Sequence, residues 1–111
     1  MILPLIIQQH LAPLTDLCQQ YRVDKLYVFG SVVTERFDAK NSDLDFIAVL
    51  EPLPPLEKGE NLINLWNALE HLFQRKVDLL TEQPIKNPYF RRNVENTKQL
   101  IYDRRSKKIS V

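Results

Sequence analysis

The chain has 111 residues, 44% of them hydrophobic and 26% charged, a composition that predicts a single globular domain spanning residues 1–111. Its 15 lysines and arginines nearly balance 14 aspartates and glutamates, so the net charge points to neither a nucleic acid nor a membrane surface as partner. One cysteine, Cys18, cannot form an intrachain disulfide, and the apolar start is too short to span a bilayer. We therefore expect a cytoplasmic protein that enters no membrane and binds no nucleic acid directly.

The first half of the chain predicts a helix, two strands and a short helix between the strands. Apolar residues at three- and four-residue steps predict an amphipathic helix over about 13–21. Residues 25–29 lack polar alternation, which indicates a strand that is covered on both faces and ends at Gly30 and Ser31. A second strand is predicted over 44–50, because the prolines that follow have no N–H group to extend a ladder.

The second half predicts two more helices and one more strand. Large apolar residues at helical spacing predict a helix over 62–73, and 77–80 reads as a short strand. Asn87 and Pro88 suit the start of a last helix, whose apolar face extends to Ile101. This order of elements predicts an α/β (α+β) fold, with a small mixed sheet and helices packed mainly on one face.

Two aspartates share one side of the second predicted strand. Asp43 and Asp45 are two residues apart, so their side chains point the same way, with about 6.5–7 Å between Cα atoms. Carboxylates this close repel each other unless a cation compensates them, and aspartate oxygens suit Mg²⁺. A metal site is the functional interpretation, and a solvated strand end is the alternative.

A glycine and a serine lie where the first predicted strand meets the short helix. Backbone N–H groups and a hydroxyl at such a junction favour an anion, and Gly30 would let a phosphate approach closely. A simple turn glycine with Ser31 as helix cap is the other interpretation. The pattern is that of a phosphate-binding corner.

Asp78 is a charged residue within an otherwise apolar predicted strand, which is costly unless the charge has a use or a partner. If this strand lies beside the 44–50 strand, Asp78 joins the other two aspartates. Three carboxylates would bind a metal, and one of them would accept the proton of an attacking hydroxyl. This predicts phosphoryl or nucleotidyl transfer, whereas an ion pair with Arg75 or Lys76 would make Asp78 structural.

Taken together, these motifs resemble the Gly-Ser, Asp-x-Asp, Asp signature of the DNA polymerase beta-like nucleotidyltransferases: Gly30-Ser31, Ser42-Asp43-Leu44-Asp45 and Asp78. Length and element order are similar to those of the minimal nucleotidyltransferases of prokaryotes. The resemblance implies that Asp43 and Asp45 bind ATP through Mg²⁺, and that Gly30 and Ser31 hold the triphosphate. It makes Asp78 the third metal-binding and catalytic carboxylate, which helps to activate the acceptor hydroxyl.

Minimal members of this family commonly act as antitoxins of HEPN toxins, and some transfer AMP to a toxin tyrosine. The resemblance therefore implies Mg²⁺-dependent transfer of AMP from ATP to a hydroxyl, expected to be a tyrosine, of a HEPN-type toxin. A chain of 111 residues leaves little for an acceptor pocket, so the partner or a second copy in a homodimer is expected to supply much of it. The alternatives are an antitoxin that neutralises its partner by binding alone, and an enzyme that modifies a small molecule such as an aminoglycoside.

The end of the chain is basic. Arg104, Arg105, Lys107 and Lys108 are interpreted as the solvated end of the last helix. Contact with RNA or with an acidic protein surface is the alternative.

Overall fold

The computed structural model of the protein describes residues 4–33, 43–81 and 86–105. Helices and strands follow one another along the chain as α1 (Leu5–Gln8), α2 (Leu11–Gln20), β1 (Val23–Phe29), β2 (Leu44–Leu50), α3 (Pro55–Phe73), β3 (Val77–Leu80), α4 (Pro88–Thr97) and β4 (Gln99–Asp103). A short 3₁₀ helix, Gly30–Val33, follows β1 directly. No helix in these described segments is long and apolar enough to cross a membrane.

The four strands form one mixed sheet in the order β3-β2-β1-β4. β1 pairs antiparallel with β2 and with β4, whereas β2 and β3 run parallel. The register places Asp45 between Phe29 of β1 on one side and Asp78 of β3 on the other. A mixed sheet is what the sequence predicted.

The two faces of the sheet are covered by different helices. On one face the even-numbered residues of β2 are buried with the apolar sides of α1, α2 and α3. On the other face Val94 of α4 packs with Phe29 and Ile47. Of the four α-helices in the described segments, three therefore cover one face, which confirms the expected one-sided arrangement, and the fourth, α4, lies over the aspartate side. Side chains alternate between the two faces along a strand, so Asp45 lies on the opposite face of β2 from the buried even-numbered residues.

The prediction that the last helix continues to Ile101 is wrong. Helix α4 ends at Thr97, Lys98 has extended backbone angles, and Gln99–Asp103 forms β4. Ile101 continues the helical spacing of α4, but pairing with the free edge of β1 buries both Ile101 and Tyr102. Edge pairing with a distant strand outweighed the local periodicity here.

The basic end of the chain is consequently the end of a strand, so its interpretation as a helix end is also wrong. Arg104 forms ion pairs with Asp24 and Glu51, at 3.3 and 3.4 Å, and Arg105 pairs with Asp103. The two Arg104 pairs join the end of β4 to β1 and to the residue after β2, whereas the Arg105 pair is local, and each exposed pair contributes little to stability. Lys107 and Lys108 lie outside the described residues.

Candidate active site

Two carboxylates face each other on the neighbouring parallel strands β2 and β3. The register pairs Asp45 directly with Asp78, and their side chains are close enough to share a hydrogen bond. Ile47 and Leu80 lie two residues farther along each strand and pack on the α4 side of the sheet. Both aspartates therefore project from that face. The sequence-based condition for an acidic cluster, that the strand of Asp78 lies beside the strand of Asp45, is therefore confirmed.

The environment of Asp45 opposes ionisation. Burial, the hydrogen bond to Asp78 and the charges of Asp78 and Asp43 together raise the pKa of Asp45 to about 6, with burial as the largest cause. Within the described part of the chain, the charged groups responsible for this shift are all carboxylates. The site thus holds an excess of negative charge at neutral pH, which a bound cation would relieve.

Asp43 lies one residue before β2 and is partly exposed. Its charge raises the pKa of Asp45, but in 4–33, 43–81 and 86–105 no three His, Cys, Asp or Glu side chains converge as a metal-binding group. The amide of Leu44, the residue after Asp43, donates to the carbonyl of Lys76 at 3.2 Å. The structure therefore brings Asp45 and Asp78 into contact, whereas Asp43 acts on this pair through its charge.

Gly30 packs against the aspartate pair. Its φ is +79°, and a Cβ added there would lie 2.5 Å from Oδ2 of Asp45, so both the backbone angle and the space require glycine. The sequence explained this glycine by the close approach of a phosphate, whereas the structure shows that a Cβ would meet the Asp45 side chain. Ser31 follows in the 3₁₀ helix, but its side chain, like residue Ser42, is outside what the structure describes.

The Gly30 amide is bonded within the protein. It donates a hydrogen bond of 2.9 Å to Oγ1 of Thr97, the last residue of α4. The expectation that this N–H group faces a phosphate therefore needs correction, because its hydrogen is already used. Sequence analysis missed Thr97, since its partner lies 67 positions away along the chain.

Two side chains of α3 fix the start of β3, next to Asp78. The indole Nε1 of Trp66 donates to the carbonyl of Val77 at 2.6 Å, and the Val77 amide donates to Oε2 of Glu70 at 3.0 Å. Both outward-facing backbone groups of Val77 are thereby satisfied on an edge strand of the sheet. The i, i+4 spacing of Trp66 and Glu70 places both on one face of α3, but nothing in the sequence indicates their shared target.

Similarity to known proteins shows the family to which the chain belongs. Residues 13–107 match the profile of the family described as "Polymerase beta, Nucleotidyltransferase". The chain belongs to this nucleotidyltransferase family. A protein of Methanocaldococcus jannaschii, provisionally named protein adenylyltransferase MJ0126, is 36% identical over 88 residues, which are 78% of this chain and 83% of that protein.

Two solved structures resemble this nucleotidyltransferase. One, provisionally described as a minimal nucleotidyltransferase, has a TM-score of 0.65 at 24% identity over 88% of this chain and 95% of its own. The other is a tri-AMPylated HEPN toxin of Shewanella oneidensis in complex with MNT antitoxin, with a TM-score of 0.52 at 18% identity over 89% of this chain and 74% of its own. At these identities the likeness shows the fold. The resemblance and fold expected from the sequence are confirmed, and the roles of individual site residues stay predictions.

The pH dependence of stability tests the electrostatics of the pair. In metal-free protein, Asp45→Asn is expected to raise the unfolding temperature at pH 7 and to have no such advantage at pH 4. Because the folded pKa of Asp45, about 6, exceeds the unfolded value of 3.8, the wild type loses stability as the pH rises through this window, and an amide cannot ionise. After discounting for solvent, the gain at pH 7 is about 1 kcal/mol. Thermal denaturation in EDTA measures it, and a difference that is constant from pH 4 to 7 would contradict the assignment.

The support of β3 by α3 is tested by Trp66→Phe, which keeps the ring but removes the donor to the Val77 carbonyl. The free energy of unfolding is expected to fall by about 1 kcal/mol, the usual value of one such hydrogen bond. Ile63→Ala, at an exposed position one turn away, is the matched control and should change stability by less than about 0.5 kcal/mol. Urea denaturation measures the free energy of unfolding of both variants. Equal losses in the two would contradict the stabilising role of the Trp66 hydrogen bond.

Proposed function

We propose that this nucleotidyltransferase transfers AMP from ATP to a hydroxyl, expected to be a tyrosine, of a HEPN-type toxin and thereby acts as its antitoxin. The observation that carries the proposal is the contact of Asp45 with Asp78 beside Gly30. Support for AMP comes from the protein adenylyltransferase name of the 36% identical relative. Support for the toxin comes from the structural neighbour, which contains an AMPylated HEPN toxin and an MNT antitoxin.

The donor set suits magnesium. Mg²⁺ in phosphoryl-transfer sites is commonly bound by one or two carboxylates, with substrate phosphates and waters as its remaining ligands. Asp45 and Asp78 supply two such carboxylates, and the charged groups that shift the pKa of Asp45 among the described residues are carboxylates as well; we assign Asp43 as the third ligand. A bound ion would neutralise charge on the phosphate oxygens during transfer.

The two contacting aspartates differ in exposure, and we assign them different tasks. Asp78 is exposed and would accept the proton of the incoming hydroxyl, whose oxygen forms a bond to the α-phosphorus as pyrophosphate leaves. Asp45 is half-buried against Gly30 and would hold its place while the reacting groups align. Ser31 and the backbone of the 3₁₀ helix are proposed to hold the triphosphate, and Gly30, whose own amide is bonded to Thr97, would let it approach closely.

The surface next to the site favours a protein as acceptor. Phe90 of α4 packs edge-on against Phe29 with ring centroids 6.0 Å apart, and Phe29 pairs with Asp45. Phe90 and the adjacent Tyr89 keep 40% and 84% of their surface exposed, which offers apolar contact area on the aspartate face. We propose that residues 1–111 form one domain, and that much of its acceptor site is supplied by the partner toxin or by a second copy of the chain.

The proposal is tested with labelled ATP, Mg²⁺ and the protein that co-purifies with the chain. Asp43→Ala combined with Asp45→Ala is expected to abolish label transfer, as is EDTA, and Asp78→Asn should reduce the rate at least about a hundredfold while nucleotide still binds. Asp16→Asn, on the remote helix α2, is the control and should transfer label at the wild-type rate.

Label transfer and toxin neutralisation, measured together, distinguish AMP transfer from inhibition by binding alone. Loss of transfer together with loss of toxin neutralisation in the double variant supports AMP transfer as the antitoxin mechanism. Full neutralisation by the double variant would replace it with inhibition by binding alone. Wild-type protein that moves no label to any protein, with any nucleoside triphosphate, would overturn the proposal.

A further inference from the structure

We infer that Thr97 is a positioning residue for nucleotidyl transfer, because its hydroxyl holds Gly30 and Gly30 in turn holds Asp45. The inference rests on the proposed function, and it adds a residue from α4 to a site otherwise built from β2, β3 and the 3₁₀ helix. The Thr97 hydroxyl is bonded to backbone groups of Gly30 and Asn93. Its effect on the Asp45 carboxylate is therefore transmitted by the backbone of Gly30.

The Thr97 hydroxyl makes two hydrogen bonds that use it as both acceptor and donor. Oγ1 accepts the amide hydrogen of Gly30 at 2.9 Å and donates its own hydrogen to the carbonyl of Asn93 at 2.7 Å. The second bond fixes the direction of the hydroxyl, so a lone pair points at Gly30. Valine, which has the same shape, can make neither bond, whereas serine can make both.

Gly30 passes this constraint to Asp45. With φ at +79° it has a conformation that other residues rarely adopt, and the Asp45 carboxylate fills the space that a Cβ would take, with Oδ2 2.5 Å from the position of that atom. A glycine whose amide lost its partner would have several accessible conformations, since it has no Cβ to restrict them. Movement of Gly30 would then leave Asp45 free to shift away from Asp78.

The backbone around Thr97 is fixed without its hydroxyl. Val94, one turn earlier in α4, packs on the sheet with Phe29, and the Lys98 amide donates to the Val94 carbonyl at 2.8 Å. Gln99, two residues after Thr97, pairs with Val28 of β1. The helix end and the following strand therefore keep Thr97 in place, and we expect Thr97→Val to fold.

The contact itself is measured by amide hydrogen exchange in solution. The chain has only two glycines, so NMR identifies the Gly30 amide readily. Thr97→Val is expected to speed exchange of this amide about tenfold, in line with the loss of one buried hydrogen bond, while Thr97→Ser keeps the wild-type rate. Should Thr97→Val unfold, Thr97→Ala removes the same hydroxyl without the second branch.

Steady-state AMP transfer tests the positioning role. Thr97→Val should lower kcat about tenfold with little change in KM for ATP, because misplacement of a reacting group affects the transition state more than ground-state binding. Thr97→Ser should stay within about twofold of wild type, since it restores both hydrogen bonds. The unfolding temperature of each variant is measured in parallel.

Three results would overturn the inference. Wild-type kcat in Thr97→Val would show that the contact does not serve the reaction, and equal losses in Thr97→Val and Thr97→Ser would show that the hydroxyl is not the cause. Unchanged Gly30 exchange in Thr97→Val would show that the hydrogen bond does not form. Wild-type protein without AMP transfer would instead reject the proposed function, and this inference with it.

Discussion

The parallel pairing of β2 with β3 is the constraint on which the site depends. It brings Asp45 and Asp78 into contact, although two carboxylates at this distance repel each other when ionised. The strands tolerate this because their opposite faces are buried in the main core, as at Phe46 and Val77. Apolar burial on one face thus offsets an electrostatic cost on the other, and the cost is concentrated where a bound cation would remove it.

The helices on the two sides of the sheet steady this pair from opposite directions. On one side α3 binds both outward-facing backbone groups of Val77 through Trp66 and Glu70, next to Asp78. On the other side α4 binds the Gly30 amide through Thr97, next to Asp45. Rigid support of this kind is what a reacting constellation requires, because small displacements of its groups are costly to the rate.

Sequence patterns predicted the elements that carry their own local signal. Leu44–Leu50 and Val77–Leu80 have the predicted bounds, and Asn87 caps α4 by accepting from the amides of Tyr89 and Phe90. β4 was missed because Ile101 falls on the helical period of α4, while the partner that makes it a strand residue is β1. Thr97 and Trp66 were missed for a related reason: each acts on a backbone group that is distant in sequence, and no local pattern encodes such a contact.

The central claim is that Asp45 and Asp78 together bind the divalent cation that accompanies the nucleotide. The most direct measurement is a crystal structure of the protein with Mn²⁺ and a non-hydrolysable ATP analogue, in which anomalous scattering locates the metal. We expect an anomalous peak between the two aspartates, about 2.1 Å from a carboxylate oxygen of each, with a substrate phosphate as a further ligand of the metal. A metal bound elsewhere, or a lysine or arginine side chain occupying the space between the two aspartates, would contradict it.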